Sequence, residues 1–149
     1  MNTGSVYTAA LMEHNAHPEY KYEMDDATDV HRGVNPSCGD DITLSMRLED
    51  GVIDEASFQG SGCAVSQAST DIMLDLITDK TPEEVMKLGE LFLAMIRGEV
   101  TDEAELAPLG EAAQLQGISR MPARVKCAEL GWRTALTMLA DKRDAQAGE

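Results

Sequence analysis

Basic residues are in short supply: 12 Lys and Arg stand against 27 Asp and Glu in 149 residues, a net charge of −15. Such a chain repels phosphate backbones and anionic lipid surfaces, which argues against nucleic acid and membrane partners. No basic residue precedes Lys21, so the charged leader of a secretory signal peptide is missing, and the longest clean apolar run, Leu91 to Ile96, is too short to cross a bilayer. A cytoplasmic location is expected. Cysteine is rare too, and its count of three is odd. With no secretory features, that count argues against a disulfide framework and for reduced thiols that act as ligands, as nucleophiles or as small buried hydrophobes. A hydrophobic content of 43% suffices for one core, so residues 1–149 are expected to form a single domain with Asp141 to Glu149 as a polar, frayed tail.

What is present concentrates in one stretch, Asn35-Pro36-Ser37-Cys38-Gly39-Asp40. Pro36 donates no backbone hydrogen bond and Gly39 tolerates unusual backbone angles, so the segment reads as a turn that aims Cys38 and Asp40 at a common point. A thiolate and a carboxylate make half of a tetrahedral metal site, and Cys63 and Cys127 are the only other thiols available to complete it.

Around this stretch the pattern alternates between sheet and helix. Ala27 to Val34 is a weak strand. Ile42 to Leu48 alternates cleanly, Glu49-Asp50-Gly51 is a turn, and Val52 to Phe58 returns, which predicts a three-stranded antiparallel sheet. The hairpin brings the loops holding Cys38 and Cys63 to the same end of the sheet. Helical spacing begins at Cys63, whose place at a helix N-terminus favours the metal-binding thiolate. Thr81-Pro82-Glu83-Glu84 is a capping box opening a second helix to about Gly98, with Val85, Leu88, Leu91, Phe92 and Met95 as core. A short helix containing Tyr7, Leu11 and Met12 precedes the sheet, and His14, His17 and His31 read as ordinary exposed imidazoles. The acidic stretch from Gly98 to Gln116 reads as a solvated insertion with short helices near Ala104 and Ala112. Pro122 opens a last helix whose apolar stripe runs through Val125, Ala128, Trp132, Ala135, Leu136 and Leu139, with Cys127 beside it. Arg120, Arg124, Lys126 and Arg133 cluster there, either balancing the acidic insertion or stabilising a thiolate or persulfide anion.

The stretches Asn35 to Asp40, Gly60-Ser61-Gly62-Cys63-Ala64-Val65-Ser66 and Pro122-Ala123-Arg124-Val125-Lys126-Cys127 together resemble the IscU/NifU-N scaffold family of iron–sulfur cluster assembly, closest to its SufU branch. Leu11-Met12-Glu13-His14 followed by Pro18 is similar to the opening of that family. In the IscU branch a His precedes the third Cys, whereas Lys126 stands here, and the chaperone-recruiting Leu-Pro-Pro-Val-Lys segment of that branch is altered. The resemblance implies an α+β fold, a small sheet packed against helices with the metal site at one end. It further implies zinc held by Cys38, Asp40, Cys63 and Cys127, a SufS-type cysteine desulfurase as partner, and downstream Fe–S assembly components. Cys38 would be the catalytic sulfur acceptor and Arg124 a contact to the partner or the site. A fully ligated thiolate is a damped nucleophile, so sulfur transfer requires one ligand to leave, and Cys38 in its Gly-containing loop is the one expected to do so. The alternatives are a scaffold that builds an Fe–S cluster on the same four residues and a zinc-stabilised adaptor with no transfer activity.

Overall fold

The computed structural model describes residues 8–147, with side chains described from 8 to 140. Tyr7, expected on the first helix, lies outside the described residues, as do Gly148 and Glu149 of the expected tail. Strands β1 (Asp29–Asn35), β2 (Asp40–Glu49) and β3 (Val52–Ser61) pair antiparallel in the order β1-β2-β3, the sheet the alternation predicts. Asp50 and Gly51 close the β2–β3 hairpin with φ of 54° and 82°, the paired positive values of a type I′ turn. Ile42, Leu44 and Met46 are buried, whereas Leu48, beyond a bulge after Arg47, is only half-buried.

Strand β1 is weak in the sequence because its outward face carries the hydrophobes. Val30 and Val34 are 60% and 48% exposed, while His31, Gly33 and Asn35 turn towards the last helix. Gly33 permits that approach: a Cβ there would lie 2.0 Å from Thr134 Oγ1.

Among the described residues there are five α-helices, α1 (Ala9–Ala16), α2 (Ala64–Ile77), α3 (Pro82–Ile96), α4 (Glu103–Leu106) and α5 (Pro122–Ala147), of which α2 and α5 pack on the sheet. Thr8 caps α1, with Leu11 buried but Met12 61% exposed, so only one of the two expected apolar contacts forms. The capping box of α3 is present in full, Thr81 Oγ1 accepting from Glu84 N–H and the Glu84 carboxylate from Thr81 N–H. Helix α2 is buried nearly all round, as a helix at the centre of a fold must be, and it packs on α1, α5 and β3. Phe92 of α3 stacks on Trp132 of α5, ring centroids 5.1 Å apart. Helix α5 continues through Ala147, past the point where the sequence is expected to fray.

The acidic stretch is not a solvated insertion. After α4, residues Ala107–Arg120 form 3-10 turns, kinked at Gly110, that bury Leu109, Ala112, Leu115 and Ile118 against α2, α3 and α5. With Leu106 these apolar residues recur every third position, the 3.0-residue period of a 3-10 helix, whose side chains eclipse along one line. Templates of period 3.6 and 2 pass over such a stripe, and the acidic residues Asp102, Glu103 and Glu105 that precede it are exposed.

His14 is not an exposed imidazole either. Its Nδ1 lies 2.6 Å from Asp71 of α2 and its Nε2 2.5 Å from Glu111 of the 3-10 segment. Asp71, fully buried, also accepts the backbone N–H groups of Glu19 and Tyr20, so three segments meet at one carboxylate. Burial disfavours the imidazolium, but hydrogen bonds and charge from Asp71 and Glu111 outweigh it and raise the His14 pKa. A folded pKa above the unfolded value of about 6.5 means that the clamp stabilises fully below that pH and fades as pH rises through the folded value. Urea unfolding of the wild type is therefore expected to show a loss of stability as pH rises above about 6.5 that His14→Gln lacks. Parallel curves for the two proteins would show that the clamp contributes nothing.

Candidate metal centre

The central motif is a hairpin loop. Asn35 and Asp40 are register partners at the end of the β1–β2 ladder, which leaves Pro36, Ser37, Cys38 and Gly39 as the turn. Gly39 has φ of 72°, a left-handed conformation that a side chain disfavours, and Cys38 N–H returns to the Asn35 carbonyl at 3.3 Å. Asp40 thus belongs to the strand, where it is fully buried, while Cys38 rides the loop half-buried.

The second thiol arrives because β3 runs on past Phe58 to Ser61, which pairs with Asp41 beside Asp40. Gly60 is needed there, since with φ of 124° a Cβ would lie 2.0 Å from the Asp41 carbonyl oxygen. Cys63 then caps α2 with its backbone and leaves its thiol out of the cap, half-buried at the end of the sheet. The third thiol comes from α5, drawn close to α2 by small residues: Ser69 Oγ donates to the Ala128 carbonyl at 2.7 Å, and Gly131 sits against Thr70. Cys127 is completely buried rather than beside the buried face as its position off the apolar stripe suggests. The reason is that α5 is covered on two sides, by α2 and α3 and by β1.

The ligand atoms of Cys38, Asp40 and Cys127 all lie within 4.8 Å of one another. Tetrahedral zinc with Zn–S bonds of about 2.3 Å holds its sulfurs about 3.8 Å apart, so little movement is needed. Cys63 stands beside this group, its N–H donating to Asp40 Oδ1 at 2.8 Å and its thiol interacting with Cys127. Burial pushes the Cys127 thiol pKa well up, and Cys38, Asp40 and Cys63 push it further. Asp40 goes the other way: burial works against its charge, but donors from Cys63, Cys127, Asn35 and Ser66 prevail and hold it below the ordinary carboxylate range. Thiols around an ionised carboxylate form a donor set that could hold a divalent ion, which would supply positive charge and deprotonate the thiols it binds.

Arg124, in the first turn of α5, aims Nη1 at Cys38 Sγ from 3.7 Å, while the Cys38 thiol donates to the Ala123 carbonyl at 3.7 Å. The hydrogen bond with Cys127 and the charge of the three thiols make this guanidinium still harder to deprotonate. Arg133 of the basic cluster does not balance the acidic stretch: with Arg97 it bonds Glu129, a carboxylate only 4% exposed on α5. Asn35 and Ser66 were legible only as parts of motifs, and both prove to touch Asp40. None of the three histidines belongs to the ligand group found among the described residues.

The model for the NifU-like N-terminal domain matches residues 6–128. The chain belongs to the NifU-like N-terminal domain family. Within this scaffold family it is 40% identical over 129 residues to the iron–sulfur cluster assembly scaffold protein IscU of Thermotoga maritima, covering 87% of this chain and 89% of that protein. It is 36% identical over 132 residues to the zinc-dependent sulfurtransferase SufU of Bacillus subtilis, covering 89% and 88%. Among solved structures, an iron–sulfur cluster assembly scaffold protein for the SUF system from Fervidobacterium islandicum superposes with a TM-score of 0.79 at 31% identity, covering 92% of this chain and 98% of that one. The α+β architecture expected of a NifU-like domain is therefore borne out, and no helix among the described residues is long and apolar enough to cross a membrane.

Proposed function

We propose that the protein is a zinc-dependent sulfur acceptor of iron–sulfur cluster assembly, which takes persulfide sulfur from a SufS-type cysteine desulfurase onto Cys38. The observation that carries this reading is the unequal placement of the ligands. Cys127 and Asp40 are fully buried on α5 and β2, whereas Cys38 sits on a turn between exposed neighbours with a guanidinium at its sulfur. A buried pair can retain an ion while the loop thiol meets a partner. Zinc would be held by Cys38, Asp40, Cys63 and Cys127 and would supply charge that keeps the thiols ionised. The name of the Bacillus subtilis relative supports the choice of zinc.

In the transfer itself the Cys38 thiolate attacks the outer sulfur of the desulfurase persulfide. A new S–S bond forms on Cys38, the old one breaks, and its electron pair leaves with the desulfurase thiolate, so no oxidant or reductant is consumed. Arg124 offsets the negative charge of the Cys38 thiolate and then of its persulfide. Downstream Fe–S assembly components would receive the sulfur, in the reducing cytoplasm where three free thiols persist.

A scaffold that holds an Fe–S cluster on the same four residues is the second reading, favoured by the name of the Thermotoga maritima relative. Elemental analysis of protein purified without air separates the two. One zinc per chain and no acid-labile sulfide is the expected result; iron with matching sulfide would put the scaffold first.

A further inference from the structure

Asp40 has two oxygens, and the fold treats them differently. Oδ1 accepts the Cys63 N–H at 2.8 Å and the Ser66 hydroxyl at 3.1 Å. Oδ2 accepts Asn35 Nδ2 at 3.2 Å, and the same Nδ2 lies 3.6 Å from Cys127 Sγ, whose thiol also donates to this carboxylate. An ionised carboxylate oxygen offers about two in-plane lone-pair directions, so two fixed donors saturate Oδ1, whereas Oδ2 has one fixed donor, and the thiol proton of Cys127 leaves when that sulfur binds a metal. Ser66 could instead donate to the Cys63 carbonyl, also at 3.1 Å, but a hydroxyl has one proton and a charged acceptor draws it more strongly.

Packing makes the same division. Gly62 has an ordinary backbone φ, yet a Cβ there would stand 2.6 Å from Asp40 Oδ1 and 2.5 Å from Ser66 Oγ. The glycine is required by space, so that Oδ1 and the Ser66 hydroxyl can lie against the backbone. Asn35, Asp40 and Ser66 are all buried, which removes water as a substitute donor.

The geometry points to Asn35 and Ser66 as positioning residues that make Asp40 a one-oxygen metal ligand: Ser66, with the Cys63 N–H, occupies Oδ1, and Asn35 steadies Oδ2 and Cys127 Sγ together. The inference rests on the metal site proposed above. One-oxygen binding keeps the site four-coordinate with three thiolates, and a carboxylate free to turn would offer both oxygens and expand the coordination. Outer hydrogen bonds of this kind are worth about 10–100-fold in metal affinity.

Cobalt(II) tests this, because the intensity and position of its visible ligand-field bands distinguish four-coordinate from higher-coordinate sites. The wild type is to be compared with Ser66→Ala, Asn35→Ala, Gly62→Ala and Thr78→Ala, each full-length and titrated with cobalt(II) and then zinc(II) against a chelator. Thr78 is a hydroxyl at the far end of the same helix that bonds the Leu74 carbonyl and not Asp40, so its loss reports structural damage alone. Ser66→Ala and Asn35→Ala are expected to weaken the cobalt bands and lower zinc affinity about 10–100-fold. Gly62→Ala, which removes no hydrogen-bonding group, is expected to reproduce the Ser66→Ala spectrum, and Thr78→Ala to keep that of the wild type. Wild-type spectra and affinity in Ser66→Ala would overturn the assignment while leaving the metal site standing, as would equal changes in Thr78→Ala. A wild type that takes up neither ion would overturn the site and the positioning together. Ser66→Ala deletes one oxygen from a helix, so it carries the test if Asn35→Ala fails to fold.

Discussion

Cys38→Ser is expected to reduce desulfurase stimulation to the basal rate of the desulfurase alone, with the protein still folded. Serine preserves the shape of the loop, and Gly39 with Asn35 still defines the turn, so the change is confined to the reacting atom. A hydroxyl at neutral pH presents essentially no anion, whereas a thiol does so readily and is far more nucleophilic towards sulfur. Alkylation and mass analysis after mixing with desulfurase and cysteine should find added sulfur on wild-type Cys38 and none on the variant. Undiminished stimulation by Cys38→Ser would remove Cys38 from the acceptor role. Arg124→Ala belongs in the same assay: it leaves the thiol in place and withdraws the cation 3.7 Å from it, so partial loss is expected.

Cys127→Ser should have the largest effect on the metal itself. This sulfur is fully buried, receives the Asn35 amide and lies with Cys38 and Asp40 in one cluster of ligand atoms. Replacing it with a hydroxyl removes one of the proposed ligands, so zinc affinity should fall by more than the about 10–100-fold typical of a lost outer hydrogen bond. The metal's contribution to folding goes with it, because an ion that binds only the native state stabilises by mass action. Thermal unfolding with and without chelator reads this directly: a large drop in Tm is expected for the wild type and little for the variant, whose Tm should sit near that of the stripped wild type. Equal metal content in both proteins would show that Cys127 is not a ligand.

Several parts of the fold were legible from residue order because local physics specifies them. The alternation of Ile42, Leu44 and Met46, the Asp50-Gly51 turn and the Thr81 capping box each depend on a few neighbouring residues, and all three stand in the structure. The 3-10 stripe of Leu106, Leu109, Ala112, Leu115 and Ile118 was equally present in the sequence, but it has a period of three, which templates for strands and α-helices do not match. His14 shows the opposite case. Nothing within several residues of it indicates a partner, since Asp71 and Glu111 are brought to it only by the packing of α1 on α2 and the 3-10 segment.

The candidate centre divides along the same line. By itself the sequence determined the supply of donors, three thiols and the Asp40 carboxylate, and the turn at Gly39 that presents Cys38. Only the tertiary structure decided how they are used: Cys127 buried between α2, α3 and β1, Arg124 aimed at Cys38, and the two oxygens of Asp40 assigned different partners. The physical reason is range. Turn and strand preferences act over a few bonds along the chain, while burial, charge and hydrogen-bond saturation at one atom are set by whatever distant segments pack around it.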